Sequence, residues 1–296
     1  MNFTKRLFII VLLAYLYLLF TSCSKEEAAP VAEDPFETTP VKNNLSGGVL
    51  DEISGLAPGI KVPGSMWAHE DSDQPAELSL LSSSGEIIKK IAVPGVNNRD
   101  WEDIASGPGP DPAQSYIYIA ETGDNNQVYD KYYIYRVEEP TAVQQTIANT
   151  DKIAFTYPDG KHDAEAIFLD PSNKDIYIIT KRDAKSKIFK LPYPYSTTSD
   201  NIATEVATLP YNQVTGADLS SDRKMLLIRT YSNIYYYPVA NGAGIDAAIS
   251  ATPRQLTFEA EPQGEAIAFR SDLSGFYTIS EKLLSSTVSL NFYKKK

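Results

Sequence analysis

The sequence is poor in the side chains that carry redox and transition-metal chemistry. Its 296 residues include one cysteine and two histidines, so no intrachain disulfide can form, and a zinc site of nitrogen and sulfur ligands is not expected. Basic residues are also scarce, with 27 Lys and Arg against 38 Asp and Glu and a net charge of −11. Because phosphate backbones are bound by basic stripes, the sequence argues against nucleic acid as a partner.

Long hydrophobic runs are absent except for one at the N-terminus. Two basic residues precede the apolar segment 7–20, which is too short to span a bilayer comfortably. The segment ends at Leu19-Phe-Thr-Ser-Cys23, which resembles a bacterial lipobox. We therefore expect a lipoprotein signal peptide at 1–22 and a lipid on Cys23. This lipid would anchor an exported protein to the outer membrane, facing the periplasm or the cell surface.

The segment after the cysteine is rich in Pro, Ala, Glu and Thr and has little apolar surface to bury. This composition predicts a disordered tether over residues 23–42, followed by a single folded domain over residues 43–296. Glu26 and Glu27 resemble the surface-export tag of some Gram-negative lipoproteins. Acidic residues at this place would equally serve to keep the tether in solution.

Sustained helical periodicity is also missing. From Leu45 onward no stretch keeps a 3.6-residue apolar period over three turns. Short segments rich in Tyr, Ile, Val and Thr are instead separated by Gly, Pro, Asn and Asp, as in Ser115-Tyr-Ile-Tyr-Ile-Ala120 and Asp175-Ile-Tyr-Ile-Ile-Thr180. These segments predict an all-β fold.

A short motif recurs five times along the folded part. It reads Asp-Ala-Glu-Ala-Ile-Phe at 163–168 and has counterparts at 52–57, 100–105, 213–218 and 263–268. Each copy opens a unit of four strand-like segments, and a period of about fifty residues is typical of a β-propeller blade. Five motifs predict a five-bladed propeller, with six blades as the alternative if the longest interval hides another repeat. Residues 45–50 are expected to close the last blade.

Every motif has an oxygen donor at its third position. Because the first strand of each propeller blade lines the channel, these five side chains are expected to form one ring. Converging carboxylates either take up protons or bind a cation, and an all-oxygen set suits Ca²⁺. The other interpretation is that these groups hold water and bond to neighbouring blades. Two positions later the motifs are apolar and are expected to plug the channel. The ring consists of Ser54, Glu102, Glu165, Thr215 and Glu265.

This series of donors on successive inner strands resembles the calcium-activated nucleotidase (apyrase) family. The resemblance implies a five-bladed propeller whose channel holds a calcium ion between Ser and Glu side chains, with Thr215 standing where that family has Ser. It does not extend to the family's catalytic residues, so no nucleotidase activity is implied. The stretches Asp100-Trp-Glu-Asp-Ile-Ala105 and Glu121-Thr-Gly-Asp-Asn125 add a broader resemblance to exported bacterial β-propeller lipoproteins of poorly known function.

Charged residues at the strand ends are expected to surround the channel mouth. Arg229 follows the apolar run 225–228 and is therefore expected to point inward. A funnel with both signs of charge is suited to a phosphorylated small molecule or a glycan ligand. The residues expected to bind such a ligand are Asp100, Asp163, Glu121, Asp124, Lys181, Arg229 and Glu281.

These features favour a membrane-anchored lipoprotein propeller with a channel cation and a ligand-binding funnel at the mouth. The alternative is a calcium-dependent phosphoester hydrolase, similar to a nucleotidase or phytase, in which the ion activates water or polarises a phosphoryl oxygen. A surface scaffold with an incidental funnel is the third interpretation. No nucleophile motif accompanies His162, so the catalytic residues of any enzyme stay unassigned.

Overall fold

The alternating segments pair into five separate sheets. The computed structural model describes residues 33–45, 50–282 and 287–296, and the sheets follow one another along this part of the chain. One of the five motifs forms the first strand of each sheet, and later strands add outward from it. The predicted all-β fold, a β-propeller of five rather than six blades, is confirmed.

Each blade contains four main strands, counted here from the channel outward. Blade 1 consists of β2 (Ile53–Pro58), β3 (Met66–Glu70), β4 (Glu77–Leu81) and β5 (Ile87–Ala92). Blade 2 consists of β6 (Trp101–Pro108), β7 (Ser115–Glu121), β8 (Tyr132–Glu138) and β9 (Thr150–Thr156). Blade 3 consists of β10 (Ala164–Leu169), β11 (Ile176–Thr180), β12 (Lys187–Leu191) and β14 (Thr204–Thr208). The short strand β13 (Asn201–Ile202) pairs in parallel with β9.

The last two blades complete the ring. Blade 4 consists of β15 (Val214–Leu219), β16 (Met225–Thr230), β17 (Ile234–Pro238) and β18 (Arg254–Gln255), with helix α1 (Ile245–Ile249) between the last two strands. Blade 5 consists of β19 (Gly264–Phe269), β20 (Gly275–Ser280), β21 (Ser289–Lys294) and β1 (Val41–Asn44). Neighbouring inner strands contact one another in the order β2, β6, β10, β15 and β19. The ring is closed, because β19 also contacts β2.

The core lies between the blades. Five hydrophobic clusters each join residues of two adjacent blades, so every interface of the ring has its own cluster. Trp67 and Trp101, both fully buried, pack between blades 1 and 2. Burying one such large side chain contributes about 1.5–3 kcal/mol, so these clusters help to hold neighbouring blades together.

The N-terminal edge of the domain corrects two expectations. The strand that closes blade 5 is Val41–Asn44, four residues before the predicted start of the closing segment, and it pairs with β21. Phe36 also belongs to the fold: it is 2% exposed and packs against Phe276 with ring centroids 4.8 Å apart. The tether predicted to reach residue 42 is therefore wrong over 36–42, because this buried aromatic ring fixes the chain against blade 5.

Residues 34–296 form one compact unit that contains every strand of the ring. No helix among the described residues is long and apolar enough to cross a membrane. The predicted signal peptide and the lipidation site Cys23 fall in residues 1–32, outside the described part of the chain, so both stay predictions.

Candidate functional site

All five inner strands carry a β-bulge at the third position of their motif. The pairing register with the second strand slips there in every blade, for example between Ala164 and Ala166 and between Gly264 and Ala266. A bulge leaves one residue unpaired and re-aims its side chain. The residues at the bulges are the predicted ring: Ser54, Glu102, Glu165, Thr215 and Glu265.

Four of these five side chains line a cavity of about 190 Å³ at the channel mouth; Thr215 does not. A second set of lining residues comes from the position directly after the second strand of each blade. That position holds Asp71, Lys181, Tyr231 and Glu281 in blades 1, 3, 4 and 5. Bulge residues and post-strand residues thus form two stacked rings around one small, polar cavity.

The hydroxyl groups of the ring bond to the neighbouring blade. Ser54 Oγ donates to the carbonyl of Glu102 at 2.6 Å, and Thr215 Oγ1 donates to the carbonyl of Gly264 at 2.8 Å. In blade 2, Thr122 follows the second strand and donates to the carbonyl of Ala164 at 2.7 Å. The expectation that polar channel residues bond to neighbouring blades is therefore confirmed for these hydroxyls. Ser54 keeps acceptor lone pairs on the cavity side.

Lys181 is a buried basic side chain that lines the cavity. Its ammonium group forms an ion pair with Glu165 and lies 4.6 Å from the ring centroid of Tyr231. Burial lowers the pKa of Lys181, but the carboxylates of Glu165 and Glu265 outweigh that effect and raise the pKa above its usual value. Lys181 therefore stays charged and neutralises one carboxylate of the ring.

The carboxyl groups of the ring keep protons more readily than usual, and burial raises even the pKa of Glu165, against the opposing charge of Lys181. Burial raises the pKa of Glu265 to about 7, against the opposing effect of Lys181 and with help from Glu281. Burial and the charge of Asp71 raise the pKa of Glu281 to about 7. The pKa of Glu102 is raised further, because it is buried and faces other carboxylates. Near neutral pH these groups therefore share protons.

Two further acids sit beside the cavity. Burial and the charges of Asp71 and Asp163 raise the pKa of Asp100 to about 7. Asp163 forms an ion pair with Arg182 at 2.7 Å and accepts the backbone N–H of Asp124. Carboxylate oxygens within 4.8 Å of one another occur in two sets that share Glu102: Asp71, Asp100 and Glu102, and Glu102, Asp163 and Glu165.

Arg229 corrects the predicted funnel. The side chain is fully buried, forms an ion pair with Glu261 and donates to the carbonyl of Ala266 at 3.2 Å. Its guanidinium occupies the space where a Cβ on Gly264 would stand. The expectation that Arg229 faces the mouth is wrong, because the missing side chain of Gly264 lets Arg229 lie flat against the next inner strand.

Two other predicted ligand-binding residues also lie away from the cavity. Glu121 accepts the backbone N–H of Asp100 at 2.7 Å and pairs with Arg99 at 3.4 Å, in a separate surface depression on blade 2. Asp124 accepts hydrogen bonds from Val128 N–H and Tyr132 Oη and thereby orders the following loop. Both carboxylates hold local structure.

Several residues that line the mouth lie outside the set predicted to bind a ligand. A usable signal exists for three lining residues of the second ring, because Lys181, Tyr231 and Glu281 follow their bulge residues at the same interval. Asn125 had no such signal, since it comes from a long loop of blade 2. The lining residues outside that set are Asp71, Asn125, Arg182, Tyr231 and Gln263, which the sequence places at strand ends or motif starts near the mouth.

Comparisons with known proteins add little beyond the fold. No protein-family model matches the chain, and no curated protein matches it in sequence. The chain is similar to a chain in a crystal structure of a nidogen/laminin complex, at 14% identity and a TM-score of 0.45, over 77% of this chain and 72% of that one. It is also similar to a luciferin-regenerating enzyme, at 10% identity and a TM-score of 0.46, over 86% and 95%. Such distant similarities carry no functional argument.

Proposed function

We propose that the protein is a membrane-anchored propeller that binds a divalent cation, best matched by calcium, at its channel mouth and captures a small ligand there. The observation that carries the proposal is an excess of acidic groups: among the described residues, five carboxyl groups and two basic side chains, Lys181 and Arg182, line the cavity. Uncompensated carboxylates in a confined space keep protons or bind a metal ion. A set of oxygen donors without nitrogen or sulfur suits Ca²⁺.

Glu102, Glu165 and Glu265 are the proposed carboxylate ligands, with the hydroxyl oxygen of Ser54. Glu102 is central because it belongs to both sets of neighbouring carboxylate oxygens. Thr215 is not included, since its hydroxyl bonds to the next blade and lies outside the cavity. A bound cation would neutralise these acids and favour an anionic ligand, such as a phosphorylated molecule or an acidic glycan, at the mouth.

Calcium titration by calorimetry tests this proposal on residues 34–296, which contain the whole ring. We expect one site that is lost when Glu102→Gln and Glu165→Gln are combined. Glu86→Gln, at an exposed position on blade 1, is the matched control and should bind like the parent. Lys181→Met should bind calcium more tightly, because it frees Glu165 from its ion pair. Absence of calcium binding in both the parent and Lys181→Met contradicts the proposal.

A calcium-dependent phosphoester hydrolase is the second candidate. It is favoured by Arg182, whose side chain is 41% exposed beside the carboxylates and can approach a phosphoryl oxygen. Arg229, which is buried against Glu261, has no role in this proposed hydrolase. A screen of phosphoesters with and without chelator tests it: turnover that needs calcium and falls in Arg182→Ala supports hydrolysis. Calcium binding without turnover of any phosphoester contradicts hydrolysis and favours the binding protein.

Anchoring through Cys23 is tested on the full chain expressed in a Gram-negative host. We expect the protein in the membrane fraction, with an acylated N-terminal peptide beginning at Cys23 by mass spectrometry. Cys23→Ser should appear in the soluble fraction, whereas Ser24→Ala should stay with the membrane. Retention of Cys23→Ser on the membrane would overturn the anchor.

A further inference from the structure

A second, larger pocket lies at the opposite end of the propeller channel. The last residues of all five inner strands line it: Pro58, Pro108, Leu169, Leu219 and Phe269. Its volume is about 710 Å³, within the range of about 300–1,000 Å³ that is usual for small-molecule sites. We call this pocket the lower funnel. Unlike the mouth cavity, it is mainly apolar.

One ionisable side chain in the lower funnel has no counterion. Four ionisable residues line the pocket in the described part of the chain, and two of them, Arg270 and Asp272, pair with each other at 3.4 Å. Lys61 pairs with Glu138 at 2.7 Å. Asp218 accepts the backbone N–H of Phe269 at 2.7 Å, and no salt bridge among the described residues involves it.

A second carboxyl group, that of Asp103, lies near Asp218 but does not line the funnel. Asp103 is fully buried near the axis, and the charge of neighbouring Asp218 contributes to its raised pKa, after burial itself. Burial raises the pKa of Asp218 to about 7. Neither carboxyl group forms an ion pair within the described residues. The lower funnel therefore combines apolar walls with one lining carboxyl group, Asp218, that has no ion pair among the described residues.

We propose that the lower funnel binds a small amphipathic amine, with its apolar body against the strand ends and its ammonium group on Asp218. The walls supply the burial of apolar surface, and Asp218 supplies a charge-assisted hydrogen bond that an alcohol or a carboxylate cannot match. Lys61 and Arg270 already pair with Glu138 and Asp272. Asp218 is therefore the group that selects an amine over an alcohol or a carboxylate. This site is independent of the cation proposed at the mouth.

Three probes with one apolar cage test the proposal: 1-aminoadamantane, 1-adamantanol and adamantane-1-carboxylate. Calorimetry at pH 8 on residues 34–296 should give the amine an affinity at least about tenfold above the alcohol, with the carboxylate weakest. Asp218→Asn should lower the affinity for the amine to the affinity for the alcohol. Asp272→Asn, the matched change at the already paired rim residue, should leave this preference in place.

A surface variant keeps the test decisive if Asp218→Asn does not fold. Ser221 lines the funnel and is exposed, so Ser221→Lys adds a cation without disturbing the core. Ser221→Lys should weaken the binding of the amine and strengthen the binding of the carboxylate. Ser83→Lys, at an exposed position on blade 1, should change neither affinity. No binding of any probe, equal affinities for the three, or equal effects of Ser221→Lys and Ser83→Lys would each overturn the proposal.

Discussion

Lys181 distinguishes the mouth cavity from a plain cluster of acids. It supplies an internal positive charge for Glu165 and leaves the remaining carboxyl groups to share protons. Because Lys181 is 3% exposed, this neutralisation is built into the folded chain and does not depend on solvent ions. The electrostatic state of the mouth therefore follows from individual residues, and pH and calcium should both change it.

The first residue-scale prediction concerns pH. Glu265 and Glu281 have pKa values of about 7 in the folded protein, above the ordinary 4.5. Groups with raised folded-state pKa values favour the fold at low pH, and this contribution is lost as pH rises from about 4.5 through 7. In the presence of a chelator, the urea concentration at the unfolding midpoint should therefore decrease as the pH rises from 5 to 8. The fall should be smaller in Glu265→Gln but unchanged in Glu86→Gln; a midpoint that rises over this range contradicts the prediction.

The second residue-scale prediction concerns Arg229. Arg229→Met leaves Glu261 as a buried charge without its partner and should lower the free energy of unfolding by about 3–5 kcal/mol. The exposed pair of Lys282 and Asp51 gives the control, because Lys282→Met should cost no more than about 1 kcal/mol. Urea unfolding measures both. A loss of ligand binding in Arg229→Met at unchanged stability would instead indicate that Arg229 belongs to the binding site at the mouth.

Residue types and spacing predict the bulge ring, because equivalent positions in a repeat point the same way. They do not predict which polar side chain bonds within the protein. Ser54 and Thr215 look alike in sequence, yet only Ser54 reaches the cavity. Strand alternation places Arg229 on the channel side, but the bulge beside Gly264 opens a buried place for it between two blades. Such pairings depend on neighbours from other blades, which a single motif does not reveal.

At the scale of elements, the inner strands do more than line a channel. The apolar residues predicted to plug the channel, among them Ile104 and Ile167, pack in the clusters between blades. The buried carboxyl group of Asp103 instead reaches across from β6 to accept the backbone N–H of Ile167 at 3.0 Å and of Ala217 at 3.4 Å. One side chain thus ties the inner strands of three blades together.

This tie gives the element-scale prediction. Asp103→Ala leaves the buried N–H groups of Ile167 and Ala217 without their acceptor, and each loss costs about 1–3 kcal/mol. The free energy of unfolding, measured by urea denaturation, should fall by about 2–6 kcal/mol. Asp111→Ala, at an exposed turn, should change it by less than about 0.5 kcal/mol. Equal effects of the two variants would show that Asp103 does not tie the strands.

At the scale of the whole molecule, the repeat period is enough to predict a closed ring of five blades. The position of the closing strand is harder to predict, because Val41–Asn44 is mostly polar and contains no buried residue, and the buried Phe36 lies five residues before it. That side chain packs against Phe269, Phe276 and Tyr236, all from blades 4 and 5. A lone aromatic residue in a Pro- and Glu-rich segment gives no periodic signal.

Phe36 gives the whole-molecule prediction. Phe36→Ala empties a buried site at the closure of the ring and should lower the free energy of unfolding by about 3–5 kcal/mol. Val41 lies nearby with 61% of its surface exposed, so Val41→Ala should cost less than about 0.5 kcal/mol. A chain starting at Asn43 should show the same loss as Phe36→Ala or more. Full stability of that shorter chain would contradict the assignment of 36–42 to the domain.

The pairing of β1 with β21 also sets the timing of folding during synthesis. Blades 1 to 4 each come from contiguous sequence, so their strands can pair as soon as they leave the ribosome. Blade 5 instead joins the first strand of the described chain to the last one. The ring can therefore close only after β21 has left the ribosome, because β1 has no partner strand in blade 5 before then.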